Sequence, residues 1–302
     1  MTNVAGAPGA DGAAAPEPIG ERKISETLHF ARRNPKLLIG SSIVLVLLLI
    51  GLIGPFFVSD DPNAYVGPKS QPPNGEYWLG TTSFGQDIWA QFVYGVRSTF
   101  LIGVFGGGVA FVIGTTVGFV AGYKGGIVDE ILNMLTNVVL VLPTMVVLIV
   151  AVAYLDARGM VVQGLFIGLT SWPWAARAVR SQTLSLATRD FVDLARLSGR
   201  RTWRIITTEV APNMSSYLVM TFILLFGSAI LIAAGLDFIG LGPTNGVSLG
   251  LMLESAVAWS ALQLQMWWWF IPPGLGITTI VGSLYILNVG LDEVFNPKLR
   301  EL

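Results

Sequence analysis

Cysteine is absent from the 302 residues, which excludes disulfides, thiolate nucleophiles and Cys-ligated metals. One histidine, His29, stands before the first apolar run, so no imidazole is left for acid–base or metal chemistry within the apolar segments. Charge is sparse. Asp, Glu, Lys and Arg make up 12% of the chain, about half the share of a typical soluble domain, and the net charge of -1 offers no basic field for nucleic acid. The Gly-x-x-x-x-Gly-Lys-Ser/Thr phosphate cradle is missing, so the chain is expected to bind no ATP and to carry no cofactor or metal of its own. Apolar side chains dominate instead, at 53%, with a mean hydropathy of +0.65. That composition belongs in a bilayer.

A hydrocarbon core about 30 Å thick needs about 20 helical residues. Six runs qualify: 37–58, 98–122, 131–155, 160–176, 215–236 and 267–291. They lack the alternation of barrel strands, and lipid admits only helices or closed barrels, so the expectation is an all-α membrane protein with six transmembrane helices. Residues 1–20 are rich in Ala, Gly and Pro and read as a disordered tail. The basic residues Arg22, Lys23, Arg32, Arg33 and Lys36 lead into the first run. They make it look like a signal peptide, but it is too long and has no small-residue cleavage pattern, so it reads as a retained span.

Orientation follows from where Lys and Arg collect. Between the fourth and fifth runs lie Arg177, Arg180, Arg189, Arg196, Arg200, Arg201 and Arg204. At roughly 3 kcal/mol per arginine at the membrane centre, submerging all seven would cost on the order of 20 kcal/mol. That stretch is therefore expected in the cytoplasm. The segment 59–97 is acidic on balance, and the segment after residue 236 carries Asp237 and Glu254 without Lys or Arg, so both face outward. Six spans then put both termini inside, in agreement with Lys298 and Arg300 near the end. Trp259, Trp267, Trp268 and Trp269 gather at the outer end of the last run, where they read as an aromatic belt at headgroup level.

Within the runs, Gly103, Gly107, Gly114, Gly118 and Gly122 mark a face of close backbone approach, read first as packing inside the subunit. Asn133, Thr136 and Asn137 put polar groups on the third span. They read as hydrogen-bonded glue, with lining of a translocation path as the second reading. Trp172-Pro173-Trp174 and Pro272-Pro273 are expected kinks.

The most informative stretch is the arginine-rich loop at about 185–212. Asp193, Leu194 and Ala195 are followed by Gly199, then by Glu209, Val210, Ala211 and Pro212. It reads as helix, break, helix: Gly199 permits an αL stop or close approach, Thr202 can cap a second helix and Pro212 ends it. On these residues alone the loop is either a hairpin lying on anionic lipid or a docking element for a cytoplasmic protein. Both stay open.

The layout of this loop resembles the signature loop of ABC-importer permeases: a Glu-Ala-Ala triplet, a glycine four residues on and a proline thirteen beyond it. Ala195, Gly199 and Pro212 match, while Asp193, Leu194 and Ala211 stand where Glu, Ala and Leu are usual. Further stretches resemble the second permease subunit of the dipeptide, oligopeptide and nickel importers. They are Leu79-Gly80-Thr81 with Gly85 and Asp87, Tyr94-Gly95-Val96-Arg97, Ala121-Gly122-Tyr123-Lys124-Gly125-Gly126 with Asp129, and the run Gly235, Leu236, Asp237, Phe238, Ile239, Gly240, Leu241, Gly242. The ending Gly290-Leu291-Asp292 with Asn296-Pro297-Lys298-Leu299-Arg300 is similar too. The resemblance spans about 79–300. Asn137 replaces a frequent Asp, and Gln86 a frequent Arg.

The resemblance implies a type I ABC importer permease fold in a bacterial or archaeal cytoplasmic membrane. The chain is thus expected to divide into a disordered cytoplasmic tail at 1–20, read from its composition, an N-terminal amphipathic segment with the first transmembrane helix and outer loop at 21–78, and a permease domain at 79–302, where the resemblance lies. The partners implied are a sister permease, two ATP-binding subunits or domains that hold ATP and Mg, an extracytoplasmic substrate-binding protein and lipid, with no nucleic acid. Asp193, Ala195, Arg196, Gly199, Arg200, Arg201, Arg204 and Pro212 would seat in the ATPase and couple its closure to transport. Asn133, Thr136 and Asn137 would line the path, and Asp237 and Glu254 would face the binding protein. Peptides are the first substrate class, with oligosaccharides or nickel chelates as alternatives. An ion-driven secondary transporter would call for buried carboxylates and paired repeats, and an intramembrane enzyme for a nucleophile or metal set; the runs supply neither.

Overall fold

The computed structural model describes residues 34–154, 159–244 and 246–295. The expectations placed on the 1–20 tail, on His29, on Arg22, Lys23, Arg32 and Arg33, and on the 296–302 ending lie outside the described residues. Ten helices organise the rest: α1 Pro35–Ile53, α2 Ile88–Lys124, α3 Gly126–Val141, α4 Thr144–Tyr154, α5 Met160–Ala187, α6 Asp190–Leu197, α7 Thr202–Ile205, α8 Ser215–Phe238, α9 Leu249–Ala258 and α10 Trp267–Phe295. Among the described residues there is no strand, only an isolated bridge between Thr81 and Asp87.

Among the described residues, four helices are long and apolar enough to cross a membrane: α1 with its terminal turn, α2, α8 and α10. A fifth candidate is α3 with α4, which together meet the same test but are bent by 79°. The sequence reads this region as one span, 131–155, and the break has a local cause. Pro143 forces the residue before it out of the helical region, and Leu142 accordingly sits at φ -71°, ψ 127°. By contrast α5 runs on through Pro173, and α10 through Pro272 and Pro273.

Local chemistry starts the helices. The Asn34 side chain accepts from the Leu37 N–H at 2.9 Å and caps α1, with Pro35 at the first position. Asp87 caps α2 by accepting from the Trp89 N–H at 2.9 Å. The cap sets the start of α2 at 88, ten residues before the apolar run at 98; at 1.5 Å per residue its 37 residues extend about 55 Å.

The centre of the molecule is the packing of α2 on α5 and α8. An added Cβ on Gly114, Gly118 or Gly122 would stand 2.7 Å from Ala175, Ala176 or Thr183 of α5, and one on Gly107 2.7 Å from Phe226 of α8. The glycine face is thus intrasubunit packing, where small residues give backbones close van der Waals contact that larger ones would forbid. α1 lies against α10 and α2, with Leu45 and Leu52 outward, each 54% exposed. Asn34 Nδ2 donates to Glu293 Oε2 at 2.8 Å and Lys36 pairs with the same carboxylate. The start of α1 and the end of α10 are therefore tied at one end of the bundle.

The segment after α8 is not a simple loop. Ser248 caps α9 by accepting from the Leu251 N–H at 3.1 Å, and Leu249, Met252 and Ala256 enter the largest apolar core with Ile88, Ile230 and Ile280. The tryptophan cluster divides. Trp259 and Trp267 are half exposed, but Trp269 is fully buried in that core and Trp268 donates its indole N–H to the Thr81 carbonyl at 3.3 Å. The belt expected of four rings thus loses Trp269 to the core.

Candidate docking loop and translocation face

The loop between α5 and α8 is a folded body. On α6, Val192 and Ala195 point inward, while Asp193, Leu194 and Leu197 point outward, Leu197 being 85% exposed. The chain turns at Ser198 and Gly199. The Gly199 N–H donates to Arg196 O at 2.9 Å and the Arg200 N–H to Ala195 O at 3.4 Å, with Gly199 at φ +68°. This is the Schellman pattern, in which glycine occupies the left-handed position at no steric cost. A Cβ at Gly199 would meet nothing within 4 Å, so the αL stop is the realised reading and close approach within this chain is not.

After the turn, α7 passes into a wide π turn, Ile206–Val210, and then Ala211–Asn213. Pro212 brings no N–H for the Thr208 carbonyl, and the widened turn stands immediately before it. Ile205, Ile206, Val210 and Met214 bury themselves with Val192 and Ala195 against Phe119 of α2 and Val179 of α5. Polar ties reinforce this base. Arg196 donates to Tyr123 Oη at 3.2 Å, lies over that ring at 4.9 Å and pairs with Asp193 at 3.1 Å; Tyr123 is the first cause that raises the pKa of Arg196. Arg200 pairs with Glu209 at 2.6 Å across the turn. Arg180 grips Asp129 of α3 twice, Nε to Oδ1 at 2.5 Å and Nη2 to Oδ2 at 2.6 Å.

Of the residues expected to couple, Asp193, Gly199, Arg200, Arg201, Arg204 and Pro212 are exposed on one body with Leu194, Leu197 and Trp203. Ala195 is buried beneath them and Arg196 is spent on Tyr123 and Asp193. The surface joins bare apolar side chains to guanidinium groups on a rigid base. It suits a protein groove with carboxylates at its rim. The sequence reading did not pick Tyr123 and Asp129 as partners; arginines spaced against a tyrosine or an acid two helices away carry no local pattern.

On α3, Asn133 and Asn137 line an open groove of about 620 Å³ with Glu130, Met134, Val138, Val141 and Leu142. Thr136 does not. It is 3% exposed and its hydroxyl donates to Leu132 O at 2.7 Å, which corrects its expected place on a path. Asn137 Oδ1 accepts from Arg177 Nη2 at 2.7 Å.

At the opposite end, Asp237 is not a surface contact. It is 1% exposed and accepts from Gln163 Nε2 at 2.6 Å and from the Ser248 hydroxyl. Gly242 and Gly250 make room, since a Cβ at either would lie 2.6–2.7 Å from its side chain. The carboxylate thus pins α8 to α5 and to the cap of α9. Glu254 is partly exposed on α9 and stays available to a partner.

Residues 114–301 match the family model described as binding-protein-dependent transport system inner membrane component. The chain is 31% identical over 280 residues to the dipeptide transport system permease protein of Alkalihalophilus pseudofirmus, covering 91% of this chain and 90% of that protein. It is 30% identical over 285 residues to the dipeptide transport system permease protein of Bacillus subtilis, covering 89% and 84%. It is 33% identical over 237 residues to the oligopeptide transport system permease protein of Mycobacterium bovis, covering 77% and 79%.

Proposed function

Since this chain belongs to the binding-protein-dependent transport system inner membrane components, the permeases of ABC transporters, we propose that it is one of two membrane-spanning subunits of an ATP-driven peptide importer. The observation that carries the reading is the loop 190–213: an exposed face of Leu194, Leu197, Trp203 and arginines, mounted on a buried base that ends on α2 and α5. A force on that face passes through the buried base to α2 and α5, so closure of an ATPase pair would move those helices with it. Peptide as substrate draws on the names of the dipeptide and oligopeptide permeases to which the chain is similar.

The topology proposed is six spans with both ends of the bundle's chain in the cytoplasm. The five apolar candidates supply five, and the 28-residue α5, whose second half carries Arg177 and Arg180, supplies the sixth. The tie of Asn34 and Lys36 to Glu293 supports an even number, because α1 starts and α10 ends at the same end. The arginines of the loop assign its side to the cytoplasm. ATP and Mg belong to two partner ATPases, a sister permease completes the path, and a binding protein meets the outer face near Glu254. The site is the cytoplasmic membrane of a bacterium or archaeon, with 79–302 as the permease domain.

Reconstitution tests the reading. Proteoliposomes holding this chain, its sister permease and the ATPases, given binding protein, should accumulate tripeptide only with ATP. Uptake driven by an ion gradient in vesicles of this chain alone would refute it.

A further inference from the structure

At the edge of the groove on α3, reached through Asn137, stands one cation whose charge is not answered. Arg177 stands one turn before Arg180 on α5. Arg180 holds the Asp129 carboxylate with two hydrogen bonds, whereas Arg177 meets only the neutral amide of Asn137, at 2.7 Å. Among the described residues no carboxylate pairs with it. The acid that shares the groove, Glu130, lies seven residues from Asn137 on α3, about 10.5 Å along the axis, too far to pair. A guanidinium carries five N–H donors, and one donated bond leaves the others free on an exposed side chain. A guanidinium with free donors at the edge of a groove can take the anionic group of a passing solute. Here the cavity is about 620 Å³, with amides at Asn133 and Asn137 beside apolar walls at Val138 and Val141.

Taking the peptide-importer reading as given, we propose that Arg177 binds the terminal carboxylate of the peptide as it passes this groove, with Asn137 holding the guanidinium toward it. Planar carboxylate and planar guanidinium fit each other in two parallel hydrogen bonds, and the amide and apolar walls suit a main chain with small side chains. Free-acid peptides would therefore be preferred over their C-terminal amides at the permease itself.

The test is ATP-driven uptake of trialanine and trialanine amide into proteoliposomes of the full complex at saturating binding protein. Arg177→Gln should slow trialanine about tenfold or more, leave the amide within about twofold, and keep both ATPase assembly and peptide docking. The binding protein's own preference cancels, because it is common to wild type and variant. Asn137→Asp keeps the side-chain shape and answers the Arg177 charge internally, so it should give the same selective loss with the fold intact; Arg177→Lys should lie between. Equal loss for acid and amide, or no loss in either variant, overturns the assignment and leaves the importer reading standing. Wild-type vesicles that take up neither substrate with ATP overturn the importer reading itself.

Discussion

The guanidinium of Arg180 and the carboxylate of Asp129 clasp through two parallel hydrogen bonds, at 2.5 and 2.6 Å, and so lock α5 to the first turn of α3. Both side chains are mostly shielded, 27% and 16% exposed, so the pair is screened less than a surface bridge. Asp129→Ala alone strands a cation and should destabilise the assembled subunit by about 2–3 kcal/mol, more than the Arg180→Ala/Asp129→Ala double variant does. Thermal unfolding of the four combinations checks this. Additive losses would mean the pair does not couple the helices.

Gly199 separates backbone strain from docking. Its φ of +68° makes any L-residue cost about 1 kcal/mol there, and its open surroundings add no clash. Gly199→Ala and Gly199→Glu should therefore lower Tm alike. Only Gly199→Glu, which plants an acid on a face meant for an ATPase, should lose coupling between ATP hydrolysis and uptake. Equal uptake by the two variants would count against a docked partner.

Val192 and Leu197 share one short helix with opposite fates, the first fully buried and the second 85% exposed. Removing two buried carbons by Val192→Ala should cost at least about 1.6 kcal/mol, at about 0.8 per carbon. Leu197→Ser should leave Tm unchanged and lower the yield of ATPase co-purified with the complex.

Much of this was open to sequence reasoning, for reasons that differ by element. The loop between α5 and α8 was legible in its turn, because Gly199 follows a local rule; its second helix starts after Arg201 without the side-chain cap expected of Thr202 and runs through Pro212 to Asn213. The glycine face of α2 was legible because its four-residue spacing is a helical period. The break at Pro143 was missed because hydropathy averages composition and is blind to direction, although Leu142 before a proline already disfavoured continuous helix. α9 was missed because its ten mostly apolar residues fall short of a span and lie among glycine and proline. Asp237 was misread as a contact, since an acid after an apolar run looks like the edge of the membrane; its partners Gln163 and Ser248 lie 74 and 11 residues away, beyond any local pattern.

That buried acid yields its own expectation. Asp237→Ala removes the acceptor of both Gln163 and Ser248, loosens the cap of α9, and should cost about 1–3 kcal/mol. Limited proteolysis would register it as faster cleavage near 239–248, where Glu254→Ala should change nothing. Unchanged cleavage in Asp237→Ala would show that the outer segment is held by its apolar core alone.

The face around Leu197 is proposed to seat in an ATPase subunit. With no cysteine in the chain, Leu197→Cys creates a single thiol on that face, and a bifunctional thiol–amine reagent can be applied to the assembled transporter in its resting and ATP-bound states. Cross-linking to the ATPase that depends on position 197, and is absent for Glu254→Cys on the opposite face, is the predicted result. A Leu197→Cys thiol that labels freely and captures no ATPase in either state would mean that this face does not seat in the ATPase.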